Sequence, residues 1–271
     1  MIKRLLILSF SILVFASCDD DDDFTNELVK SYRVMLSSAN SIPMVEGRDE
    51  TGIIDMYLYR DNSLEFNITI DNLSFTDELT TAHVHFGDVV STGDVAISLV
   101  DGNNIAFTGD SANGMLSLSA SQAASLQGDD VCVNVHSMES PSGLVRGQID
   151  MEIDYAYNIA LSPDHEVPPV MGRNETGVAI FRIVNSTMYY KVTVDDLDTS
   201  DDIIGAHIHE GAVGANGDVL INLGITDNDQ LDMTKSLTLS SEELTSVNND
   251  ALYVNVHSNQ VPSGLIRGQI R

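Results

Sequence analysis

Six of the seven histidines sit in two repeated phrases. Ala82-His83-Val84-His85 recurs as Ala206-His207-Ile208-His209. About fifty residues after each comes a second phrase, Val133-Asn134-Val135-His136 and Val254-Asn255-Val256-His257. In a strand, side chains two positions apart share a face. His83 and His85 then point one way while Ala82, Val84 and Phe86 point the other. On the second phrase, Asn134 and His136 share a face and Val133 and Val135 take the other. Three neutral imidazoles, two from one strand and one from another, suit copper or zinc and leave a position open to water or substrate. The candidate metal ligands are His83, His85 and His136 in one copy and His207, His209 and His257 in the other. The competing reading is structural: each imidazole hydrogen-bonds a loop carbonyl. His-x-His alone is a weak signal, and the recurrence of all three His in both copies is what gives it weight.

The elements that must position these residues are also repeated. Gly47–Gly52 (GRDETG) matches Gly172–Gly177 (GRNETG) at an offset of 125 residues, the first His pairs match at 124, and the closing His and Arg match at 121. A period near 120 residues is the size of a domain rather than of a solenoid unit. Each copy reads as seven or eight short strands. In the first these are 32–37, 53–59, 64–70, 82–86, 95–100, 105–108, 131–136 and 144–152. In the second they are 156–161, 178–184, 188–194, 206–210, 219–223, 231–239, 252–257 and 265–270. Ser119-Ala120-Ser121-Gln122 and Ser240-Ser241-Glu242-Glu243 are capping boxes, which predict one short helix per copy. The expected fold is all-β: two tandem antiparallel β-sandwiches, Greek-key-like, each with one short helix. The glycine-bounded loops at 47–52 and 172–177 read as turns leading into strands. His165, with no counterpart in the first copy, reads as a surface residue.

Composition narrows the function classes. The formal net charge is −28, and losing Lys3 and Arg4 with a signal peptide would take it to −30. So acidic a chain repels phosphate backbones, which argues against nucleic acid as a partner. Two cysteines do not make a disulfide framework. Nothing matches a nucleophile elbow, a P-loop or a dinucleotide fingerprint, so a non-enzymatic module is expected.

Residues 1–17 read as a secretory signal, with Lys3 and Arg4 before an apolar run from Leu5 to Phe15 that is too short to span a bilayer as a mature helix. Phe15-Ala16-Ser17-Cys18 resembles a bacterial lipobox, which implies lipidation at Cys18 and a membrane partner through that anchor. Residues 18–27 are then a lipidated Cys and acidic tether, followed by domains at 28–151 and 152–271. The run Asp19–Asp23 resembles the tethers of surface-exported Bacteroidetes-type lipoproteins. The implied location is the bacterial cell envelope, on the outer membrane and facing outward, with an extracellular or periplasmic ligand of unknown identity.

The whole phrase set, A-H-[IV]-H, V-N-V-H and P-S-G-x-[IV]-R-G-Q-I, resembles the CHRD (chordin-type) domain in both copies. The closing phrase, 141–149 and 262–270, is its most specific part. That resemblance implies a binding or structural module. A more distant similarity runs to Cu/Zn superoxide dismutase, also a β-sandwich. It implies copper-ligand roles for His83, His85 and His136, and for His207, His209 and His257. Arg146 and Arg267 fall on that enzyme's anion-guiding arginine; read from the residues alone, they pair structurally with an acidic group. The bridging His and the zinc-ligand run have no counterpart between His85 and His136 or between His209 and His257. What carries over is a reduced three-His site.

Overall fold

The structure, a computed structural model, describes residues 26–271. The expected signal and the Cys18 anchor lie outside the described residues. The first domain runs β1 (Leu28–Ser37), β2 (Thr51–Tyr59), β3 (Ser63–Asp71), β4 (Leu79–Phe86), β5 (Val95–Val100), β6 (Ser111–Ser117), α1 (Ala120–Gly128), β7 (Val131–Ser137) and β8 (Val145–Gln148). The second repeats this as β9 (Tyr155–Leu161), β10 (Thr176–Val184), β11 (Thr187–Asp195), β12 (Ile203–Glu210), β13 (Val219–Asn222), β14 (Lys235–Thr238), α2 (Ser241–Asn249), β15 (Leu252–Ser258) and β16 (Ile266–Gln269).

In the second domain two four-stranded antiparallel sheets, β14-β11-β10-β9 and β13-β12-β15-β16, form the layers. The first domain has the same two layers, β6-β3-β2-β1 and β8-β7-β4-β5. A single pairing of Ser37 with Arg146 joins them at one edge into a continuous eight-stranded sheet. The equivalent contact in the second domain is the isolated bridge between Ser162 and Arg267. Within each domain the chain changes layer three times, and this brings β4 beside β7 although about fifty residues separate them.

Alternation builds the cores. In β2, Ile54, Met56 and Leu58 are buried, and in β3 Leu64, Phe66, Ile68 and Ile70. The facing layer supplies Ala82, Val84, Val133 and Val135. The second core has Phe181, Ile183, Val192, Ile208, Val254 and Val256 in the same places. Each such Val, Leu, Ile or Phe, taken from water to full burial, contributes about 1.5–3 kcal/mol. Both helices carry the expected capping box, Ser119 with Gln122 and Ser240 with Glu243.

The strand assignments need one substantive correction. Residues 105–108 do not form a strand; β6 lies at Ser111–Ser117 instead. Its sequence, SANGMLS, has little strand character, and pairing with β3 imposes the extended form. Gly114 leaves the space into which Ile105 packs, so Ile105 is a core residue carried by a loop. Two other strands are shorter than expected, at Val145–Gln148 and Lys235–Thr238. Asp150, with φ of 61°, lies in the left-handed region just beyond the first of these.

Candidate metal centre

The inner layer places the histidines. On β4, Ala82 and Val84 are fully buried, which sends His83 and His85 to the opposite face. β7 pairs with β4 so that Asn134 lies opposite His83, Cys132 opposite His85 and His136 opposite Thr81. The register with β5 slips between Ala82 and His83 and again between Val84 and His85; β12 and β13 slip between Ile208 and His209. Such irregularities re-aim side chains locally.

In each domain the three rings converge. Ring centroids are 5.7, 5.0 and 6.0 Å apart for His83–His85, His83–His136 and His85–His136. The second domain repeats this at 5.7, 4.9 and 6.2 Å. One ring nitrogen from each of the three lies within 4.8 Å of the other two, in both sets. Zn–N bonds of about 2.0–2.1 Å at tetrahedral angles would put such nitrogens roughly 3.3–3.4 Å apart. His83 Nδ1 and His136 Nε2 already lie 3.2 Å apart.

Loop carbonyls fix which nitrogen faces the cluster. His85 Nδ1 lies 3.0 Å from the Gly93 carbonyl, and His136 Nδ1 3.0 Å from that of Pro141. His209 and His257 repeat these contacts, with Gly217 and Pro262, at 3.0 Å each. A carbonyl can only accept, so Nδ1 carries the proton and Nε2 keeps its lone pair. That orientation is the one a ligating imidazole needs. Among the described residues, Nε2 of His85, His209 and His257 and Nδ1 of His207 are buried without a protein partner. A buried nitrogen left unpaired costs about 1–3 kcal/mol, so the one at the first cluster and the three at the second fit a bound cation.

Burial disfavours the charged form of four of the six rings. His83 is pushed down to about 4, first by desolvation and then by His136 and His85 beside it. Desolvation also lowers His136, His207 and His257; neighbouring imidazoles add to the effect. Uncharged rings are the form that ligates metal.

The two arginines are engaged elsewhere. Arg146 is 1% exposed and donates to the carbonyls of Val89 and Ser91, to that of Asp88, and to Gln148 Oε1. Arg267 donates to Asn216 and to the Ala212 and Ala215 carbonyls, and its guanidinium lies 3.4 Å above the Tyr253 ring. Tyr253 in turn stacks on His209, 4.9 Å away with 6° between planes. The first domain has Cys132 at that position, buried and without a disulfide among the described residues. His165 stands apart from both clusters, with Nδ1 3.3 Å from the Arg267 carbonyl.

Two repeated motifs turn out to support the site. The Pro-Ser-Gly loop supplies the Pro141 carbonyl to His136 and the Ser142 carbonyl to Asn134. At Gly143, with φ of 133°, a Cβ would run into the Asn134 amide. The loop at 47–52 is more than a turn. Arg48 forms buried ion pairs with Glu50 and Asp77 and reaches Glu139; Arg173 pairs with Glu175 and Asp201 and hydrogen-bonds Gln260. Asp77 and Asp201 also accept the backbone N–H of Glu139 and of Gln260, each at 3.0 Å. This clamp ties the loop before β4, or before β12, to the loop that orients the third His. In sequence the clamp shows only as a near-equal spacing, an acid 29 residues after Arg48 and 28 after Arg173, which in so acidic a chain does not single out the partner.

Comparison with curated proteins and with solved structures returns no match. The profile of the CHRD domain matches residues 32–149 and again 157–270, which together cover most of the chain. The chain belongs to the CHRD domain family, as two tandem copies.

Proposed function

We propose that each CHRD domain holds one transition-metal ion, copper before zinc, and that the protein is a non-enzymatic metal-binding module displayed from the cell envelope by a lipid on Cys18. The observation that carries the metal assignment is the pair of matching clusters with their orphaned ring nitrogens. His83 Nδ1, His85 Nε2 and His136 Nε2 would be the ligands in the first domain, and His207 Nδ1, His209 Nε2 and His257 Nε2 in the second. A bound ion would supply an open Lewis-acid position there. Arg146 and Arg267, buried and saturated by loop acceptors, support a clamp role rather than anion guidance. The strongly acidic surface favours approach of cations over anions.

Metal analysis after refolding with Cu(II) or Zn(II) tests the reading. One equivalent per domain is expected above the amount retained by a variant with all six cluster His changed to Gln. Equal retention by the two proteins would remove the proposal. Mass spectrometry of the mature N-terminus tests the anchor separately, and an unacylated Cys18 would refute it.

A further inference from the structure

We infer that a crevice in the second domain, beside β9 and the loop at 211–217, binds an organic cation carried on an apolar body, a guanidinium or ammonium of about the size of an arginine side chain. The crevice encloses about 660 Å³ and is lined by Ile159, Ala160, Val167, Pro169 and Val213, with Glu166 in its wall. That volume falls in the range of about 300–1,000 Å³ common for small-molecule sites. Asp164, exposed, also lines it.

The internal repeat shows what such a crevice accepts. Val213 and Gly214 correspond to Val89 and Val90 at the offset of 124 that also relates the His pairs. His165, Glu166 and Val167 correspond to Asn40, Ser41 and Ile42 at 125, the offset between the short 3-10 turns Ser38–Asn40 and Pro163–His165. In the first domain this place is filled. Val89 and Val90 are buried against Ile180 of the second domain, with Ile42 and Tyr189 packed alongside. Arg182 enters the same junction with no exposed surface. It donates to the Asn40 carbonyl at 3.2 Å and to Asn158 Oδ1 at 2.9 Å. So the first domain already holds a guanidinium flanked by aliphatic and aromatic surface. In the second domain Val213 is 81% exposed.

The second copy is also better prepared for charge. Arg182 meets only neutral acceptors, and burial followed by the nearby Arg146 holds it down at about 9. Where the first domain has Ser41, the second has Glu166, 6% exposed, with Oε1 lacking a hydrogen-bond partner among the described residues. Burial raises this carboxyl to about 7 against the opposing pull of Arg267 and of hydrogen bonds from Asn255 and the Val167 backbone. A buried carboxyl oxygen left without a hydrogen-bonding partner is costly to maintain. An incoming cation would supply the partner. Arg267 itself is 2% exposed and committed to Tyr253, Asn216 and loop carbonyls, so it does not fill the space.

Calorimetric titration of the full chain, kept metal-free by chelator, with hexylguanidinium tests this. A single site is expected, with hexanol and hexanesulfonate binding at least tenfold more weakly. Glu166→Gln should weaken hexylguanidinium at least tenfold without altering response to the alcohol. Should that variant not fold, Asp164→Asn at the rim should still reduce affinity severalfold. Equal affinity for alcohol and guanidinium would overturn the assignment. So would multiple weak sites that vanish at about 0.15 M salt and ignore both substitutions, since screening by added salt marks diffuse binding to the acidic surface.

Discussion

Acidification of the metal-free protein probes the first cluster with a magnitude that can be worked out in advance. Folding holds His83 at about 4, whereas the same ring in the unfolded chain titrates near its ordinary 6.5. Between those values the unfolded state takes up a proton that the folded state refuses. A folded pKa below the unfolded one gives stability that is fully present above 6.5 and is lost as the pH falls through 4. At pH 5 the unfolded chain gains about 2 kcal/mol from this ring alone, approaching about 3.4 kcal/mol below pH 4. Urea unfolding at pH 7 and pH 5, with chelator, should therefore show wild type losing about 2 kcal/mol more than His83→Gln. The other lowered rings, His136, His207 and His257, remain in both proteins and largely cancel. Zn(II) or Cu(II) should raise wild-type stability at pH 7, and acid should remove that gain, because protons compete for the lone pairs. Losses that agree between wild type and variant to within about 0.5 kcal/mol, the usual scatter of such comparisons, would refute the burial argument.

Other outcomes follow from the supporting contacts. Arg48→Met leaves Glu50 and Asp77 buried without their cation and should cost about 3–5 kcal/mol in chemical unfolding; both carboxyls are held below their ordinary values in the native state. Wild type should accordingly lose that contribution as pH falls below the ordinary carboxylate range. Gly143→Ala places a Cβ against the Asn134 amide at φ of 133°. It should lower stability by about 1–3 kcal/mol and weaken metal retention in the first domain, read by metal analysis after dialysis. Arg182→Leu removes the guanidinium between the domains and strands the Asn40 and Tyr157 carbonyls. Scanning calorimetry should then resolve two transitions in place of one, at a cost of about 1–3 kcal/mol.

The elements the sequence made legible are those set by short-range periodicity. Alternation in 53–59 and 64–70 marked strands whose apolar faces are the core, and the two capping boxes marked both helices. The misplaced sixth strand shows the limit. SANGMLS is extended because β3 offers it a ladder, and Ile105 looks like strand but fills the hole above Gly114. The clamp of Arg48 with Asp77 is not legible in sequence for a related reason: an acid 29 residues away in an acidic chain carries no mark of its partner.

For the histidines the division is sharp. Strand period alone put His83 with His85 on one face and His136 with Asn134 on another, because successive side chains in a strand must alternate. The repeat put both sets at matching positions. Whether the three rings meet depends on β4 lying beside β7, a pairing across about fifty residues that only the layered fold brings about. Which nitrogen faces the centre is decided by the carbonyls of Gly93 and Pro141, and of Gly217 and Pro262. Those are loop contacts with no residue-type signature, since every residue has a carbonyl. The sequence by itself determined which imidazoles are candidates, because alternation is local. The tertiary structure decided their convergence, tautomer and charge, because these depend on distant strands, loop carbonyls and burial.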